Sequence, residues 1–213
     1  MTNEDLIQSL MADYAPVPRH VLARRMTLGL ASGFAVALAV VLGKLGLRPD
    51  LPQAVETFPF WVKWIYVAML AAVTIAAAAR LAHPEVRKAG VLWLAALPFA
   101  GIAILAAIQT RQAGPEGWSM LWMGKSWAQC PVIITILAIP LLAGGLWALR
   151  GFAPSRKRLA GFVTGAGAGA LAAFAYALHC VEVSAVFIGL WYTLGVAIPA
   201  LFGILLGPIV LRW

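Results

Sequence analysis

The chain has 213 residues, of which 62% are hydrophobic and 11% charged, against about 45–50% and about 25% in ordinary soluble domains. That balance excludes a water-soluble globular protein. No polar stretch approaches the roughly 100 residues that a catalytic domain outside a membrane would need. The net charge of +8 calls for its own account.

Taken in chain order, residues 1–18 contain Glu4, Asp5 and Asp13 and no Lys or Arg, so they lack the basic start of a cleavable signal peptide. Thr2 can cap a short helix there, with Leu6, Ile7, Leu10, Met11 and Tyr14 along one face, before Pro16 and Pro18 end it. An amphipathic helix lying on anionic lipid is held by a basic polar face. This face is acidic, so the pattern predicts a protein partner that offers an apolar groove with a basic rim.

Six apolar stretches follow, at 28–43, 64–79, 91–108, 132–149, 159–178 and 183–206, and none contains Asp, Glu, Lys, Arg or His. Backbone polar groups inside a bilayer must be satisfied within the segment, so these runs predict an all-α integral membrane bundle of six transmembrane helices. Residues 1–27 then form a cytoplasmic tail and 28–213 the membrane domain. Lys and Arg are retained on the cytoplasmic side. With an inside N-terminus the inner segments hold 11 of them and the outer segments 5, which puts both termini in the cytoplasm. Topology then accounts for the basic charge, and nucleic-acid binding is not needed. Trp118 and Trp122 stand four apart in the longest outer loop and, with Leu121, predict a short helix along the outer bilayer surface.

Gly161, Gly165 and Gly169 recur every fourth residue in the fifth stretch, and Gly203 and Gly207 repeat the spacing in the sixth. Such stripes let helices approach closely. They predict packing within one bundle, with a homodimer seam as the alternative. Pro98, Pro140 and Pro199 fall inside the third, fourth and sixth stretches and are expected to bend them.

Chemistry is sparse. An ion-coupled transporter keeps ionisable groups at membrane depth, and the middles of these stretches have none. Gly124, Lys125 and Ser126 imitate the end of a phosphate-binding loop, but Ser119 stands where its first glycine belongs. The two cysteines, Cys130 and Cys180, both fall on the predicted outer side. Cys130 precedes Pro131 at the positive end of the fourth helix, a setting that favours a thiolate. His179 and Glu182 flank Cys180. These four residues are candidates for a disulfide in an oxidising periplasm or for transient binding of a thiophilic metal ion; no other cofactor is expected. The plainer alternative is that each cysteine is a small buried apolar residue. A disulfide would close a ring of 51 residues, which in the chain-entropy model has an upper-bound effect of about 4 kcal/mol.

The ordered residues resemble the NrsF-type membrane anti-sigma factors of proteobacteria. The likeness runs through Asp5, Leu6, Ile7, Leu10, Asp13, Pro16, Val17 and Arg19, then Trp127 and Cys130. It continues with Pro154, Leu159, Ala160 and Gly161, then His179, Cys180 and Glu182, Trp191 and Tyr192, and the terminal Leu211, Arg212 and Trp213. The resemblance implies a regulator and not an enzyme. In that role the tail, through Asp5, Leu6, Ile7, Leu10, Met11, Asp13 and Tyr14, holds an extracytoplasmic-function sigma factor at the bacterial inner membrane, away from RNA polymerase. Cys130 and Cys180 would then sense oxidants or heavy-metal ions from the periplasm. Two other classes stand beside it: a membrane thiol-disulfide oxidoreductase, which usually carries a CxxC pair absent here, and a metal transporter, which needs a polar path.

Overall fold

The computed structural model describes Glu4, Gln8 and residues 20–83, 90–152 and 154–212. Among these residues there are helices and no strands, and six helical segments are long and apolar enough to cross a membrane. Helix α1 spans Val21–Val40 and ends in a π turn, Val41–Leu45. Helix α2 spans Phe58–Leu81, α3 Ala96–Met123, α4 Gln129–Leu149, α5 Lys157–Tyr176 and α6 Thr193–Val210. A second π turn, Ile188–Tyr192, leads into α6.

Helices α1, α2, α4 and α5 begin before the apolar stretches they contain. Helix α1 starts at Val21 and so includes Arg24 and Arg25. Pro59 sits in the first turn of α2, where its missing N–H costs nothing, and the helix therefore takes in Lys63. The stretch 64–79 itself holds no charge, but the helix that contains it does. Helix α3 is two helices meeting at Gly114, whose φ of 64° suits glycine; Pro115 then opens the second piece, which carries Trp118 and Trp122, both exposed. The Trp118 Nε1–H bridges the break to the Thr110 carbonyl at 3.1 Å. Pro98 lies in the first turn of α3, whereas Pro140 and Pro199 are inside α4 and α6.

Helix α5 is the axis of the bundle. Its run of Gly and Ala leaves room for neighbours, and it packs on α6, α2 and α4, while α3 lies at the edge with only Pro98 and Ile102 buried. A Cβ added at Gly161 would strike the Gly203 carbonyl, one at Gly165 the Pro199 carbonyl, and one at Gly169 would stand 2.8 Å from the Val196 Cα. The stripe thus faces α6 of the same chain. A second seam joins α1 to α4, where Gly29 meets Gly144 backbone to backbone and a Cβ at Gly33 would lie 2.8 Å from Leu141.

The two ends of the bundle differ. At one, Met26, Leu81, Leu149 and Leu211 are buried together, and Arg25 donates to the Arg150 carbonyl at 3.0 Å while lying over the Trp147 ring. At the other, the close of α1 meets the turn between α5 and α6, and both cysteines are there.

Candidate functional site

Two turns build the site. Cys130 is the second residue of α4, fixed as its N–H closes onto the Ser126 carbonyl at 3.0 Å. Helix α5 ends at Tyr176, whose carbonyl accepts the N–H of His179 and of Cys180, tightening the chain so that Cys180 turns back toward α4. Both thiols are free and buried, and their sulfurs lie 3.7 Å apart. Cys130 Sγ also lies 3.5 Å from the Tyr176 hydroxyl and 3.7 Å from Ser126 Oγ.

His179 and Glu182 do not join this pair. His179 Nδ1 is 3.0 Å from the Gly46 carbonyl oxygen. The Glu182 carboxylate accepts from the Lys125 N–H at 2.7 Å and from Ser126 Oγ at 3.5 Å. Each is satisfied on a neighbouring loop. Among the described residues no three His, Cys, Asp or Glu side chains converge as a metal site; of the four candidates the structure brings together the two sulfurs and holds His179 and Glu182 on other partners.

Two cations that the sequence reading counted only as loop charges stand over the Cys180 turn. Lys63 is fully buried, with Nζ donating to the Cys180 carbonyl at 2.7 Å and the Glu182 carbonyl at 3.1 Å, and lies over the Tyr192 ring. Arg48, 5% exposed, forms a two-bond pair with Asp50 at 2.8 and 2.7 Å. It also reaches the Cys180 and Val181 carbonyls at 3.4 Å each, and its own N–H donates to the Leu178 carbonyl at 3.0 Å. The shared hydrogen bonds raise the Arg48 pKa and hold the Asp50 carboxyl below its usual range. The hydrogen bond from Cys130 and the charge of Lys63 hold the Cys180 thiol below the ordinary thiol range, against the opposing effect of burial. The helix-end argument had favoured Cys130 as the reactive thiolate, yet the cations gather on Cys180. One signal was readable: Pro59 marks a helix start upstream of Lys63, which places a lysine on an otherwise apolar helix.

The turn and the segment that leads into α6 are also fastened to α3. Ser184 Oγ donates to the Leu121 carbonyl at 3.1 Å, the Ala185 N–H to Gln109 Oε1 at 2.7 Å, and the Trp191 Nε1–H to the Trp122 carbonyl at 2.7 Å. Of the tail, Glu4 and Gln8 are helical and exposed. Asp5, Leu6, Ile7, Leu10, Met11, Asp13 and Tyr14, and with them the expected amphipathic face, lie outside the described residues.

Comparison with known proteins agrees with the ordered residues quoted above. The family described as "Negative regulator of sigma F" matches residues 10–213. A "Probable anti-sigma-F factor NrsF" from Azospira oryzae is 41% identical over 213 residues, covering the whole of both chains. An "Anti-sigma-F factor NrsF" from Caulobacter vibrioides is 39% identical over 217 residues, again covering the whole of both. No solved structure matches the chain. A match along nearly the full length, with the two relatives aligned from end to end, shows that this chain belongs to the NrsF family of negative regulators of sigma F.

Proposed function

We propose that the chain is a membrane-embedded anti-sigma factor and not an enzyme. Residues 1–27 hold an extracytoplasmic-function sigma factor at the cytoplasmic face of the inner membrane, and Cys130 and Cys180, on the periplasmic side, control its release. The names of the full-length relatives support the regulator. For the sensor, the supporting observation is the contact at 3.7 Å between sulfurs 50 positions apart in the chain, at the end of the bundle opposite the start of α1.

Oxidation removes one proton and one electron from each thiol and joins the sulfurs, and a peroxide accepting both is reduced to water or alcohol. A thiophilic heavy-metal ion would draw the same two sulfurs together with loss of their protons, and among the described residues no third His, Cys, Asp or Glu side chain is gathered beside them. Either event acts where α4 meets the end of α5, and the repacking passes down the bundle to the tail. Co-purification from detergent extracts tests the reading. The sigma factor is expected to elute with the chain from unstressed cells and to be depleted from it after peroxide treatment; a sigma factor absent in both conditions would remove the reading.

A further inference from the structure

The regulator reading gives no task to the two buried cations. An ammonium shut away from water is costly unless hydrogen bonds replace its hydration, and an ionisable residue inside a membrane helix is a functional candidate for that reason. Among the described residues the only ion pair is Arg48–Asp50, so Lys63 is compensated by the Cys180 and Glu182 carbonyls and not by a carboxylate. Arg48 adds bonds to the Leu178, Cys180 and Val181 carbonyls. Four successive or near-successive carbonyls of one turn are thus held from the α1–α2 region, the Leu178 carbonyl by the Arg48 backbone N–H and the other three by the Arg48 and Lys63 side chains.

We propose that Lys63, together with Arg48, is a positioning residue for the thiol pair, holding the Cys180 turn as the fixed jaw so that closure draws in the first turn of α4. The inference rests on the thiol reading given above. A disulfide has an S–S length of about 2.0 Å, so sulfurs now 3.7 Å apart must approach by about 1.7 Å. On the Cys180 side that movement would break the carbonyl bonds to Lys63 and Arg48. On the Cys130 side, besides Cys180, the polar partners of the sulfur among the described residues are the hydroxyls of Tyr176 and Ser126 at 3.5 and 3.7 Å, and the loop ahead of it is tied to the turn by the Glu182 carboxylate at an exposed contact. Helix α4 is the part that yields. Its seam with α1, closed backbone to backbone at Gly29 and Gly144, carries the shift to the helix that continues into the tail.

The test uses the purified full-length chain in detergent, equilibrated with glutathione buffers. In that reaction the two thiols and one glutathione disulfide give the Cys130–Cys180 disulfide and two glutathione thiols, with two electrons and two protons passing to glutathione. The oxidised fraction is read by thiol blocking under denaturing conditions. Lys63→Met is expected to lower the pair's effective concentration about tenfold or more, Lys63→Arg to stay within about twofold of the parent, and Arg48→Gln to lose about fivefold. Gly165→Ala, which disturbs the α5–α6 seam away from the thiols, should leave the equilibrium in place while lowering the melting temperature. A parent-like equilibrium in Lys63→Met overturns the proposal, as does Lys63→Arg failing as badly as Lys63→Met, or an equal loss in Gly165→Ala. If Lys63→Met does not fold, Arg48→Gln decides: a parent-like value overturns the proposal. No sigma factor takes part in this measurement, so its failure leaves the regulator reading intact, and a failed release experiment leaves the positioning result intact.

Discussion

Cells carrying Cys130→Ser are expected to keep the sigma factor bound to the membrane protein after peroxide treatment, under conditions where the parent releases most of it. Serine preserves the shape of the site and can still bond to Ser126 and Tyr176, which now meet the Cys130 sulfur at 3.7 and 3.5 Å, so the fold should survive. Only the covalent step is lost. The chain-entropy limit of about 4 kcal/mol for this ring corresponds to a bias on the order of a thousandfold. Helices already confined by a bilayer reduce that figure, and a difference in release of about tenfold is the expected size. It would be measured by quantifying the sigma factor co-purified before and after oxidant, with Cys180→Ser giving the same result. Equal release from parent and variants would remove the cysteines from the switch.

A larger effect is expected at the other end of the molecule. Replacing Leu6, Ile7 and Leu10 together by Asp should abolish co-purification with the sigma factor in unstressed cells, while the protein remains in the membrane fraction at parent levels. Burying an aliphatic side chain is worth about 1.5–3 kcal/mol. Losing three of them and adding charge to a segment that already carries Glu4, Asp5 and Asp13 should weaken binding by at least about a thousandfold. Retention of the sigma factor by this variant would show that the tail is not what holds it.

How much of this could be read from the residues divides along physical lines. The helical bundle and its six long apolar helices follow from hydrophobic run length, a signal that no tertiary interaction can override inside a bilayer. The α5 stripe was visible in its spacing. Gly29 and Gly33 share the same spacing in α1, but two glycines in one apolar run say little until Gly144 and Leu141 are found against them. Lys63 was missed because apolar run length marks where charge stops, while a helix begins where capping and proline geometry allow; Pro59 starts α2 upstream of the charge. That His179 and Glu182 stand apart from the sulfurs was hidden for a different reason. Neighbours in sequence within a turn point in different directions, and the competing acceptors and donors at Gly46, Lys125 and Ser126 come from loops whose approach sequence does not reveal. The break at Gly114 followed by Pro115 was readable as a turn signal, and it separates the apolar first part of α3 from the second part, which bears Trp118 and Trp122.

The whole account requires the sulfur end of the bundle to face the oxidising compartment while the tail faces the cytoplasm. Both native thiols are buried and would react slowly with bulky reagents, so exposed reporters decide the matter. In a Cys130→Ser, Cys180→Ser background, Gln53→Cys at the thiol end and Ser155→Cys at the opposite end place single thiols on exposed positions. A membrane-impermeant maleimide applied to spheroplasts should label the first reporter in intact cells and the second only after lysis; the reverse pattern would contradict the account.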